Sequence, residues 1–153
     1  MSRSFVLRWL LFGVVARCAQ AAVAIGPTTQ QDMPCLRSLS KSCLLRQQGD
    51  LESFASQLGS RRATSVGAVI IQGNVTDLRP LQQSGRWAVE KLVIENTQLT
   101  SLDGLGVIVS LGSDKDGVSL NISGNGELLS LEGLTGLQGG LLGSLTVRNN
   151  VKL

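Results

Sequence analysis

The feature that most limits what this chain can fold into is a layout written four times. It occurs as "AVIIQGNVTDLRPL" (68–81), "LVIENTQLTSLDGL" (92–105), "SLNISGNGELLSLEGL" (119–134) and "SLTVRNNVKL" (144–153). Each copy opens with alternating apolar residues: Val69/Ile71, Leu92/Ile94, Leu120/Ile122 and Leu145/Val147. A period of two marks a strand with one buried face. A polar corner follows: Gly73-Asn74, Asn96-Thr97, Gly124-Asn125 and Asn149-Asn150. The first three copies then close with Leu-x-x-Leu: Leu78/Leu81, Leu102/Leu105 and Leu131/Leu134. The steps from Ile71 to Ile94, Ile122 and Val147 are 23, 28 and 25 residues.

Units at this period predict a solenoid, because one short strand with a leucine return cannot bury its apolar side alone. Stacked copies can, with strands of successive coils lying parallel at a spacing of ~4.8 Å. A sharp corner leaves backbone groups unpaired. Asparagine can satisfy them and, like glycine, tolerates left-handed backbone angles. The expected fold is therefore mainly β: a right-handed parallel β-helix or leucine-rich-repeat-like solenoid over 66–153, incomplete at its C-terminal side. The stretches "QQSGRWAVE", "GVIVSLGSDKDGV" and "TGLQGGLLG" are expected to be its variable connecting loops.

A cap is expected over 22–65. "DLESFASQLG" predicts a short helix with Asp50 as N-cap, Gly59 as stop, and Leu51, Phe54, Ala55 and Leu58 on one face. This helix would cover the open end of the first coil. Cys35 and Cys43 are eight residues apart. In one continuous helix that separation spans ~12 Å, too far for a disulfide. The segment is therefore either bent and bridged, the favoured reading in a secreted chain, or helical with free thiols.

The secretory context comes from residues 1–21. Arg3 and Arg8 precede the apolar run "WLLFGVVA", and "RCAQA" offers Ala19 and Ala21 to signal peptidase. Cleavage after Ala24 and retention as an uncleaved anchor are the alternatives. The run is shorter than the ~20 apolar residues that span a bilayer. Arg3, Arg8 and Arg17 all lie in this segment, which holds no acid. The remainder is balanced, with 11 basic and 11 acidic residues, so charge gives no case for nucleic acid. Two sequons, Asn74-Val75-Thr76 and Asn121-Ile122-Ser123, are candidate glycosylation sites.

Chemistry is sparse. The chain has no histidine and no tyrosine, which removes Ser-His and Cys-His nucleophile systems and histidine-bearing zinc sites. "SDKDG" (113–117) places Asp114 and Asp116 near a glycine, but it lacks the other oxygen ligands of a calcium loop and is expected to be a turn. Asp103 and Glu132 hold equivalent places in successive units. They are expected to be solvated corner residues in preference to a glycosidase pair. No catalytic residue, cofactor or metal site is expected.

Binding is better served. Residues between the buried ones face outward in two columns: Ile70, Val93, Asn121, Thr146 and Gln72, Glu95, Ser123, Arg148. Such a face is the natural ligand surface of a solenoid. A glycan on Asn121 would obstruct it and move recognition toward a loop edge near Trp87, although a core plug is the favoured reading of that residue over a binding hot spot.

The segments "LVIENTQLTSLDGL", "LNISGNGELLSLEGL" and "LTVRNN" resemble the receptor L domain, the leucine-rich-repeat-like β-solenoid of insulin- and EGF-receptor ectodomains and of microbial surface proteins. The resemblance covers about 66–153, and Cys35–Gly59 loosely. It implies a secreted or cell-surface recognition module, non-enzymatic, with a protein or glycan partner. The cysteine spacing is tight for the family, the C-terminal cap is missing, and no Cys-rich module or kinase follows. We therefore expect a fragment or a short relative of a longer protein, with membrane attachment only through a missing C-terminal portion. A structural cell-surface or cell-wall repeat without a discrete ligand is the alternative.

Overall fold

The structure, a computed structural model, describes residues 33–37, 42–61, 65–137 and 139–153. The expected signal segment, 1–21, lies outside them. The strands are β1 (Cys43–Gln47), β2 (Ser65–Asn74), β3 (Trp87–Thr97), β4 (Ile108–Leu111), β5 (Val118–Ser123) and β6 (Ser144–Arg148). They form one open, six-stranded, wholly parallel sheet in the order β1-β2-β3-β5-β6, with β4 also beside β3. Among the described residues helix is confined to α1 (Gln48–Arg61) and short 3-10 turns.

Register follows the repeat. Ile71 pairs with Ile94, Ile94 with Ile122, and Ile122 with Val147. Leu45 of β1 pairs with Ile71 and begins the column one strand earlier than the repeat indicates. Leu45, Ile71, Ile94, Leu120 and Ile122 are fully buried, and Val69 and Leu92 nearly so. Each full burial of such a side chain contributes roughly 1.5–3 kcal/mol, so the column is a main source of stability.

The corners explain how one unit hands on to the next. Gly73, Asn96, Gly124 and Asn149 occupy equivalent places and have positive φ of 77°, 51°, 68° and 55°. Only glycine and asparagine take this conformation at low cost. Asn125, fully buried, accepts N–H from Thr97 (3.0 Å) and donates to the carbonyl of Ile94 (3.0 Å). Asn150 does the same one coil later, accepting from the backbone N–H of Asn125 (2.9 Å) and donating to Ile122 (3.1 Å). Past the corner, every Leu-x-x-Leu closes a turn. Leu81 donates to Leu78, Leu105 to Leu102 and Leu134 to Leu131. Asp77, Ser101 and Ser130 each accept the N–H two residues on, at 2.9, 3.0 and 3.0 Å.

Four features differ from the sequence expectation. The helix does not begin at Asp50. It starts at Gln48, and Asp50, within its first turn, reaches back to accept N–H from Arg46 (2.9 Å) and Gln47 (3.0 Å). Nor does it stop at Gly59, where a Cβ would lie 2.9 Å from the Gln83 carbonyl. Glycine there permits close approach to the 79–84 turn. With Leu51, Phe54, Ala55 and Leu58 buried as expected, α1 connects β1 to β2 and packs on that turn and on β1.

The second difference is β1 itself. The sheet starts at Cys43, ahead of residue 66, because the Cys35–Cys43 disulfide (Cα–Cα 5.1 Å) and the 3-10 turn Pro34–Arg37 bring the chain against β2. The bent and bridged alternative is therefore the one realised.

The third is the placement of Trp87, expected in a connecting loop: it opens β3, edge-on to Phe54 at 5.7 Å. At 1% exposed it plugs the core, the role the sequence favoured for it.

The fourth is the stretch expected as a loop after Leu105. It contains β4, with Ile108 and Leu111 buried beside Trp87 and Val89. The inward phase of β3 slips across Glu90–Lys91, from Trp87/Val89 to Leu92/Ile94. Its partner changes there from β4 to β5.

Candidate functional site: the outer face of the sheet

The side chains that alternate with the buried column stand on the outer face. Ile70, Val93, Asn121 and Thr146 are register partners, and so are Gln72, Glu95, Ser123 and Arg148. Both expected columns are therefore real alignments. Two residues head them that the sequence reading missed, Leu44 opposite Ile70 and Arg46 beside Gln72. The signal for them was the Cys43/Leu45 alternation, hidden within a segment read as a disulfide cap.

The face is graded. Leu44 is 43% exposed, whereas Val93 in the centre is only 7% exposed and Ser123 8%, packed among their neighbours. Gln72 orients its amide to accept from Arg46 Nε (3.1 Å) and donate to Glu95 Oε1 (3.2 Å), which links the first three strands. Asn121 has a buried Oδ1 with no hydrogen-bond partner, an uncommon state for a native polar atom. The other sequon residue, Asn74, is exposed at its corner and accepts from Gln98 (3.4 Å).

Beside these columns lies a groove of about 550 Å³. Ser65, Ala88 and Ser110 are register partners across β2, β3 and β4 and line it, together with Glu90, Ser113 and Leu142. The segment 112–117, inserted between β4 and β5, borders it. That segment is held firmly. Asp114 accepts N–H from Asp116 and Val118, both at 2.9 Å, and takes the Lys91 ammonium at 2.5 Å. The Lys91 hydrogen bond, then the two backbone donors, lower the Asp114 carboxyl to a pKa of about 2. Ser119 donates to the Gly112 carbonyl and accepts from Gly143. "SDKDG" is thus a turn whose first carboxylate is already engaged by its own backbone and by Lys91.

The carboxylates at the Leu-x-x-Leu turns lie apart from this groove. Asp103 and Glu132 are exposed, as expected. Asp77 pairs with Arg79 at 2.8 Å beside a hollow of about 200 Å³ that Asp103 also lines, and the guanidinium lowers the Asp77 pKa. Among the described residues no three His, Cys, Asp or Glu side chains are grouped to hold a metal ion, and no helix is long and apolar enough to cross a membrane. What the outer face offers chemically is non-covalent contact: apolar Leu44 and Ile70, a linked polar row, and a partly apolar groove with one carboxylate. In comparisons with known proteins, no family model, no curated protein and no solved structure matches this chain.

Proposed function

We propose that this chain is a secreted or cell-surface recognition module, non-enzymatic, that binds a protein or glycan partner through the outer face of its sheet. In this reading the coils form a leucine-rich-repeat-like solenoid of the receptor L-domain kind. The equivalent corners and repeated Leu-x-x-Leu turns support that reading, since each unit repeats the same local hydrogen bonds. The Cys35–Cys43 disulfide is compatible with an oxidising, extracellular location.

The observation that carries the proposal is the pair of aligned outward columns. The inward column alone accounts for folding. The outward one nonetheless keeps Leu44 and Ile70 on the surface beside the Arg46–Gln72–Glu95 row. Mixed apolar and polar surface of this kind is what protein partners use. The test is an array of purified extracellular proteins and glycans probed with the wild-type chain and with Leu44→Arg, a substitution at an exposed place on the outward column. A binder retained by wild type and lost in the variant, at unchanged melting temperature, supports the reading. Binding indifferent to Leu44→Arg, or no binder at all, overturns it in favour of a structural repeat.

A further inference from the structure

We propose that the groove lined by Ser65, Ala88, Glu90, Ser110, Ser113 and Leu142 receives the side chain of an arginine or lysine from an extended segment of a protein partner. This deepens the recognition reading and rests on it only in taking the outer face as the contact surface.

The argument begins with what the fold leaves unused. Lys91, Asp114 and Ser119 are committed to holding the inserted segment in place. The hydroxyls of Ser65, Ser110 and Ser113 make no hydrogen bond among the described residues, and Glu90, exposed, makes no ion pair among them. All four line the same groove. Glu90 is the charged residue among the described lining, and Lys91 and Asp114 nearby neutralise each other. An anionic ligand is therefore disfavoured, and a donor-rich or cationic group is favoured.

Shape narrows the choice. Gly67, Ala88 and Gly112 contribute almost no side-chain bulk to the groove. Leu142, 79% exposed, adds apolar surface along it. Sugars are commonly held against an aromatic platform, and the described lining contains no aromatic residue. A long aliphatic stem ending in a donor-only head matches both halves of the surface. The methylenes lie along Leu142 and Ala88, and the guanidinium or ammonium meets the Glu90 carboxylate with serine hydroxyls as further acceptors. The volume of about 550 Å³ lies within the ordinary range for small-ligand sites, roughly 300–1,000 Å³, and accommodates one such side chain with its flanking backbone.

The experiment is a titration of the isotopically labelled full chain with N-acetyl-arginine amide and N-acetyl-lysine amide, followed by amide chemical shifts. Maltotriose serves as the saccharide arm. Saturable shifts at Ala88, Ser110 and Gly112, weakened at least tenfold by Glu90→Gln, are expected. Glu90 is exposed and unpaired, so this substitution leaves the melting temperature unchanged. Absence of saturable shifts, shifts indifferent to Glu90→Gln, or Glu90-dependent shifts with maltotriose in place of the cationic probes would each overturn the proposal. Failure here is distinct from failure of the recognition reading, which is decided by loss of a partner in Leu44→Arg.

Discussion

The same inward pair is written in the third strand and in the last, Leu92/Ile94 in β3 and Leu145/Val147 in β6. In β3 these side chains are 1% and 0% exposed, whereas in β6 they are 45% and 37% exposed. Nothing within either strand accounts for the difference. Strands on both sides flank β3, whereas β6 has one neighbouring strand among the described residues, and Leu141, Leu142, Val151 and Leu153 near it in sequence are exposed too. Burial here is a property of position in the stack and not of the rung's own sequence. The first strand shows a third condition. β1 is also an edge, yet Leu45 is fully buried and Cys43 1% exposed, because the disulfide, its 3-10 turn and α1 surround it.

If position sets the energy, an aspartate should have unequal consequences at the two places. Ile94→Asp puts a charge among fully buried aliphatics and is expected to abolish cooperative unfolding, a loss of several kcal/mol and comparable to a small domain's whole stability. Val147→Asp, at a partly exposed site, should cost about 1 kcal/mol or less. Urea denaturation followed by circular dichroism compares them directly, and equal losses would break the contrast.

The corners sharpen it further. Asn125→Ala strands the Ile94 carbonyl and the Thr97 N–H in a buried place, so about 3 kcal/mol of destabilisation is expected. Asn150→Ala, one coil nearer the exposed edge, should cost about 1 kcal/mol in the same assay. At the covered edge, Cys35→Ser with Cys43→Ser should lower the unfolding free energy by about 2.5 kcal/mol, as expected for so short a closed loop. The smallest effect concerns the inserted segment. The Asp114 pKa is lowered from 3.8 to about 2 in the fold, so its contribution is present above pH 3.8 and fades as pH falls toward 2. An acid titration of melting temperature should show a shallower slope in that window for Asp114→Asn than for wild type.

Much of this arrangement is legible in the sequence, for identifiable reasons. β2, β3, β5 and β6 are announced by period-two aliphatics, and the corners by Gly-Asn or Asn-Asn pairs. The same residues fix the register that aligns Ile70 with Val93 and Glu95 with Ser123. What stays hidden lacks a periodic signal. β1 has only two inward side chains, one of them a cysteine. The apolar run of β4 is too short to separate from glycine-rich surroundings. The start of α1 depends on a carboxylate reaching backward from its first turn, which places Asp50 inside the helix. The groove was invisible because it arises from small residues on three different strands and a segment pinned by Lys91, which lies 23 residues away from Asp114. No single window of sequence contains it.

The asparagine links point one way. Asn150 clasps Asn125, and Asn125 clasps Thr97 and Ile94, so each of these two corners is held by the one that follows. At the first corner the direction is reversed, with the earlier Gln48 side chain holding Thr76 and Asp77. Order is thus lent backward along the chain between residues 94 and 150, from late residues to early ones, and forward between residues 48 and 77.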